Sequence, residues 1–122
     1  MLTLPRKRML KRRSDFQKVY RVGRSYANRY FVLYVFVRKD EEAARMKGRI
    51  GFAAGKKLGC AVVRNRVKRL LRETYRQHQD AIRDDVALLM VGRRGAVEAS
   101  GTEVERSFLR LARKAGALRE DA

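Results

Sequence analysis

Apolar positions recur along this chain in two rhythms. In residues 59–78, Val63, Val67, Leu70, Leu71 and Thr74 fall at i, i+4, i+7, i+8 and i+11, one face of a helix. The pattern predicts a helix from about Gly59 that frays at residues 78–80. Phe16 and Tyr20 are i,i+4 neighbours, with Val19 and Val22 on the adjoining stripe. They predict a shorter helix, capped by Ser14 with Gln17 as its capping-box partner and stopped by Gly23. On this reading the valines face the core and the aromatics rim a groove. A last helix is expected over residues 102–115, buried through Val104, Phe108, Leu111, Ala112 and Ala115 and ended by Gly116. Its capping box is either Ser100 with Glu103 or Thr102 with Glu105.

The second rhythm is that of strands. Residues 26–37 carry Phe31, Leu33, Val35 and Val37 on one face and Tyr30, Val32, Tyr34 and Phe36 on the other. They read as one central strand with a bend at Asn28 and Arg29. Tyr30 and Tyr34 each need a wet edge for the phenol, so one sheet face should be only partly covered. Residues 38–47 lack strand pattern and read as a loop joining an antiparallel pair, with Asp40, Glu41 and Glu42 solvated. Residues 49–54 form the second strand, whose small residues permit close approach of a ligand or backbone. The apolar run 86–91 suits a buried parallel strand, giving a strand–helix–strand unit, for which handedness rules predict a right-handed crossover.

Charge changes the picture. The 122 residues contain 31 Lys and Arg against 13 Asp and Glu, a formal charge of +18. An imbalance of that size points to nucleic acid, with an anionic membrane surface as the weaker alternative. At 45% hydrophobic the chain is nonetheless a globular domain rather than a basic tail. The cations concentrate on the long helix, where Asn65, Arg69, Arg72 and Arg76 point away from the apolar stripe. Lys68 lies beside them, Arg64 and Arg66 sit on the shoulders, and Lys56 and Lys57 precede them. Solvated faces usually alternate in sign to gain i,i+4 pairs; this ridge holds one acid, Glu73. A row of arginines suits a phosphate backbone. Residues 1–13 form a second basic stretch, an arm anchored by Met9 or Leu10. No apolar run reaches a membrane span, and the chain reads as soluble, cytoplasmic and without membrane contact.

Candidate protein chemistry is sparse. His78 is the single histidine, read as a surface residue without a partner. Asp84 and Asp85 are adjacent in a linker, which sends their side chains apart. Cys60 reads as a small buried side chain, although its place in the first helical turn could lower its pKa. No catalytic residue and no protein-held metal is assigned.

At this point the sequence resembles a known family, the bacterial ribonuclease P proteins. The likeness runs over about residues 10–115. It is carried by KKLGCAVVRNRVKRLLRE (56–73), built on the Arg64-Asn65-Arg66 motif, with DFQKVYRVG (15–23) and FVLY (31–34) in matching order and spacing. The resemblance implies an α+β fold, a single-domain αβββαβα sandwich over residues 14–116, with a left-handed crossover around the basic helix. It implies a catalytic RNA subunit as partner, precursor tRNA as substrate, and removal of the 5′ leader with Mg2+ held by the RNA; self-association is left open. It also implies that the RNA-binding helix uses Lys56, Lys57, Arg64, Asn65, Arg66, Lys68, Arg69, Arg72 and Arg76. Phe16, Tyr20 and Tyr34 would line a cleft for the leader. Tyr20 stands where Phe is frequent, and Cys60 where a polar residue is frequent. The alternatives are a structural or chaperone-like RNA-binding subunit of another ribonucleoprotein, and a self-sufficient nuclease.

Overall fold

The computed structural model describes residues 4, 6–10, 12–37 and 48–119; the acidic stretch at 40–42 lies outside them. The elements are α1 (Arg13–Val22), β1 (Arg24–Ala27), β2 (Phe31–Phe36), β3 (Ile50–Ala54), α2 (Ala61–His78), β4 (Ala87–Gly92) and α3 (Gly101–Lys114). The order is αβββαβα, with a four-stranded mixed sheet in the order β1-β2-β4-β3. β2 runs antiparallel to both β1 and β4, and β3 runs parallel to β4.

Two strand expectations are corrected here. Residues 26–37 are not one bent strand. The Asn28 side-chain oxygen accepts the N–H groups of Tyr30 at 2.8 Å and Phe31 at 2.9 Å, which folds the chain into a hairpin. Tyr30 therefore sits in the turn and packs toward the α2 and α3 side, whereas Tyr34 faces α1. Nor do β2 and β3 pair. β4, buried on both faces, enters between them, which gives the most apolar strand hydrogen-bonded neighbours on both edges.

The sheet carries a core on each face. Phe31, Leu33, Val35, Ile50, Phe52, Leu88 and Met90 face α2 and α3 and meet Val67, Leu71, Tyr75, Val104 and Phe108. Phe108 is fully buried at the centre, and Phe108→Ala should cost about 3–5 kcal/mol. The other face, smaller, joins Leu10, Val19, Phe36, Ala87 and Leu89 with Phe16 and Tyr34. The arm is stitched to the β3 edge: Met9 bridges Ile50, and the Leu10 N–H donates to the Ile50 carbonyl at 2.9 Å. Met9 packs on one face of the sheet and Leu10 on the other.

Helix ends differ in how closely they follow the expected chemistry. α3 is capped by Ser100, whose oxygen accepts the Glu103 N–H at 3.2 Å, and Gly116 ends it at φ 72°. α1 begins one residue before Ser14, with Arg12 at its N-cap and no side-chain cap. Gly23 ends α1 at φ −72°, so left-handed backbone is not its role. A Cβ there would lie 2.5 Å from the Val19 carbonyl oxygen and 3.1 Å from that of Val35, so bareness is what the site requires. Past Gly116 the packing continues: Ala117 is buried and Leu118 bridges Ile82.

Candidate RNA interface

α2 sorts its basic residues by its own periodicity. Val67, Leu71, Thr74 and Tyr75 turn inward, leaving Asn65, Arg66, Arg69 and Arg72 exposed and Arg64, Lys68 and Arg76 half-buried. Tyr75 extends the inward stripe by i+4 from Leu71, a signal the sequence reading passed over. Burial pushes its phenol up to about 12.

The cations of the ridge are not equivalent. The Arg66 guanidinium donates to the Val97 carbonyl at 2.6 Å, joining α2 to the connection between β4 and α3. Arg76 is ion-paired with Glu73, the one acid of the ridge. That pairing holds the Glu73 carboxyl below its ordinary value. Arg72 lies over the Phe52 ring, 5.9 Å from its centre. Arg64 buries its Nε–H with no acceptor among the described residues. Arg69 makes no ion pair among the described residues and stands free beside Asn65.

The turn Lys56–Leu58 leads from β3 toward α2, with both lysines exposed. Gly59 follows at φ 137°, a left-handed conformation that favours glycine. Cys60 occupies the N-cap and is exposed, which corrects the buried reading. The side chain at an N-cap turns to the free N–H groups of the first turn. Here those of Val63 and Val62 lower the thiol pKa.

On the opposite face of the sheet a cleft of about 770 Å3 opens between α1 and the ends of β3 and β4. Phe16 and Tyr20 line it from α1; Ala53, Ala54, Gly55, Leu89 and Val91 form its floor. Its small residues keep it open. A Cβ on neighbouring Gly51 would lie 2.6 Å from the Phe16 ring. Tyr34 stands behind the lining, its ring 5.0 Å from that of Tyr20 and tilted by 43°. Burial, then the Tyr20 phenol beside it, raises the Tyr34 pKa. Tyr20 is 59% exposed. Of the two valines assigned to the core, Val19 is fully buried but Val22, the last residue of α1, is 41% exposed. Gln17 and Arg21 also line the cleft; their spacing next to Phe16 and Tyr20 was the available signal.

His78 departs from its surface reading. Its Nε2 lies 2.9 Å from Glu105 Oε1 and its ring stacks on Phe108, so it joins α2 to α3. Asp84 pairs with Arg119 and Asp85 with Arg83, so the adjacent carboxylates do diverge. Among the described residues no three His, Cys, Asp or Glu side chains converge as metal ligands, and no helix is long and apolar enough to cross a membrane.

The family model described as Ribonuclease P matches residues 4–116. The chain belongs to the ribonuclease P protein family. A ribonuclease P protein component from Geobacillus sp. (strain WCH70) is 38% identical over 118 residues, covering 97% of this chain and 98% of its own length. The RNase P protein of Staphylococcus aureus superposes with a TM-score of 0.76 at 29% identity, over 92% of this chain and 98% of that one. A second S. aureus structure, of an RNase P protein mutant with defective mRNA degradation activity, gives a TM-score of 0.75 at 31% identity, over 90% of this chain and 89% of that one. Within the ribonuclease P family frame, the basic helix and the aromatic cleft lie on opposite faces of one sheet.

Proposed function

We propose that this chain is the RNA-binding subunit of ribonuclease P. It holds the catalytic RNA on the α2 ridge and the 5′ leader of precursor tRNA in the cleft beside α1. The observation that carries the reading is the cleft: an exposed Tyr20 ring over a floor of Ala53, Ala54, Gly55, Leu89 and Val91, with Arg21 in its lining. Single-strand sites combine aromatic platforms with basic edges in this way, and a purely structural RNA-binding subunit has no use for such a platform. The ridge supplies fixed cations for a folded RNA. In this reading Mg2+ is held by the RNA, and the work is cytoplasmic. The test is reconstitution. The protein added to a bacterial catalytic RNA at low Mg2+ should restore 5′ cleavage of precursor tRNA, and no gain in cleavage would refute the assignment.

A second reading, action on mRNA, is favoured by one observation, the mRNA degradation activity named for the S. aureus relative. Incubating purified protein with mRNA, without catalytic RNA, tests it. Intact mRNA would exclude it.

A further inference from the structure

A second pocket, of about 460 Å3, lies away from the cleft, on the α2 and α3 side of the sheet. Arg29 and Tyr30 of the hairpin turn, Leu58, Arg94, Glu98 and Glu103 surround it. The pocket is built, not incidental. The Arg93 N–H donates to the Tyr30 carbonyl at 2.8 Å, and its guanidinium donates to the Asn28 carbonyl at 2.9 Å. Gly95 lets the two turns touch, since a Cβ there would lie 2.2 Å from the Arg29 carbonyl oxygen. Arg66 fixes the far wall through Val97, a residue that also lines the pocket.

We propose that this pocket receives one unpaired nucleotide of the structured RNA bound by the α2 ridge. Its size falls within the roughly 300–1,000 Å3 of small-ligand sites. The lining carries both signs. A bare phosphate would use the arginines but be repelled by Glu98 and Glu103; a basic peptide would use the carboxylates but be repelled by the arginines. A nucleotide uses both. Arg94 takes the phosphate, Tyr30, with the Arg29 guanidinium 5.7 Å from its ring centre, offers an aromatic and a guanidinium plane to the base, and the carboxylates accept from a base amino group or a ribose hydroxyl. The source is the structured RNA rather than the leader, because the pocket shares its wall with Arg66 while the cleft opens on the other face. This inference rests on the RNA-binding reading above.

The experiment compares the affinity of parent, Glu98→Gln, Arg94→Ala and Arg110→Ala for a bacterial catalytic RNA, with chemical probing of the RNA bases. Glu98 is exposed and makes no ion pair among the described residues, so folding is preserved. Expected are losses of about tenfold for Glu98→Gln and Arg94→Ala, the worth of one charged hydrogen bond. Little change is expected for Arg110→Ala, and one unpaired base should be protected by the parent but not by Glu98→Gln. A purely electrostatic surface predicts the opposite sign, since removing an acid would tighten binding. Unchanged or tighter binding by Glu98→Gln overturns the pocket while leaving the subunit assignment standing. Failure of the parent to bind the RNA overturns the assignment itself.

Discussion

Truncating Tyr20 separates a substrate platform from a packing residue. The ring is 59% exposed, so little core is lost in Tyr20→Ala. Its main neighbour is Tyr34 at 5.0 Å; an aromatic pair contributes about 0.5–1.5 kcal/mol, a melting-temperature drop of roughly 2–8 °C. Loss of a stacking platform costs about 1–3 kcal/mol per base, or roughly 5- to 150-fold in affinity. The assay is the affinity of the reconstituted holoenzyme for precursor and for mature tRNA. The precursor affinity should fall by that factor and the mature affinity should hold, so their ratio collapses toward one. Tyr20→Phe keeps the ring and should retain most of the ratio. Phe16→Ala is the poorer probe, because the Phe16 ring packs over Gly51 and its loss would disturb the fold. A constant ratio accompanied by a lower melting temperature would show that Tyr20 only packs, and the leader assignment would fail with it.

Three further outcomes are expected. Of the eight cations in residues 56–76, Arg66 and Arg76 have protein partners; six remain, and log K for the catalytic RNA should fall against log salt with a slope of about −4 to −5, whereas a flat response in filter binding would exclude phosphate contact by the ridge. Arg69→Ala should weaken assembly by roughly tenfold at unchanged melting temperature, while Arg66→Ala should lower both, its lost carbonyl bond costing about 1.5–3 kcal/mol; identical behaviour of the two in paired melting and binding measurements would contradict their different surroundings. Cys60 should alkylate with a pH midpoint below that of an ordinary thiol, since the Val63 and Val62 N–H groups stabilise the thiolate, and bound RNA should slow the reaction; a midpoint at or above the free-thiol value would sink this.

What the sequence revealed divides along a physical line. Local periodicity placed all three helices, because burial of an amphipathic stripe decides them and Val67, Leu71, Val104 and Phe108 announce it. It also put Phe16 and Tyr20 on one rim. Sheet order was legible in part: the apolar run of β4 marked a buried strand parallel to β3, but its antiparallel pairing with β2 is a contest between strands that local periodicity does not decide. The hairpin at Asn28 was half-legible, since Asn favours turns, but the two side-chain bonds that close it depend on where Phe31 must be buried. The resemblance to the ribonuclease P family supplied the three-strand order that the periodicity alone had collapsed to two.

The Arg64-Asn65-Arg66 triad shows why position is easier to read than role. Helical spacing puts Arg64 and Arg66 on opposite shoulders of the ridge, and no further property of the sequence separates them. The fold does. Arg66 reaches a carbonyl 31 residues away, and Arg64 buries an Nε–H that no described residue accepts. Burying an unpaired guanidinium donor is costly in the free protein, and a phosphate arriving at that shoulder would relieve the cost. An arginine already bonded to protein gains less from the same phosphate. The two arginines therefore divide the work. Arg66 holds α2 against the connection from β4, and in the proposed complex Arg64 would be the one to take an acceptor from the RNA. α2 packs on one face of the sheet and α1 on the other, each through its own buried cluster, so ridge and cleft share one framework. In the proposed complex that framework would set the spacing between catalytic RNA and leader.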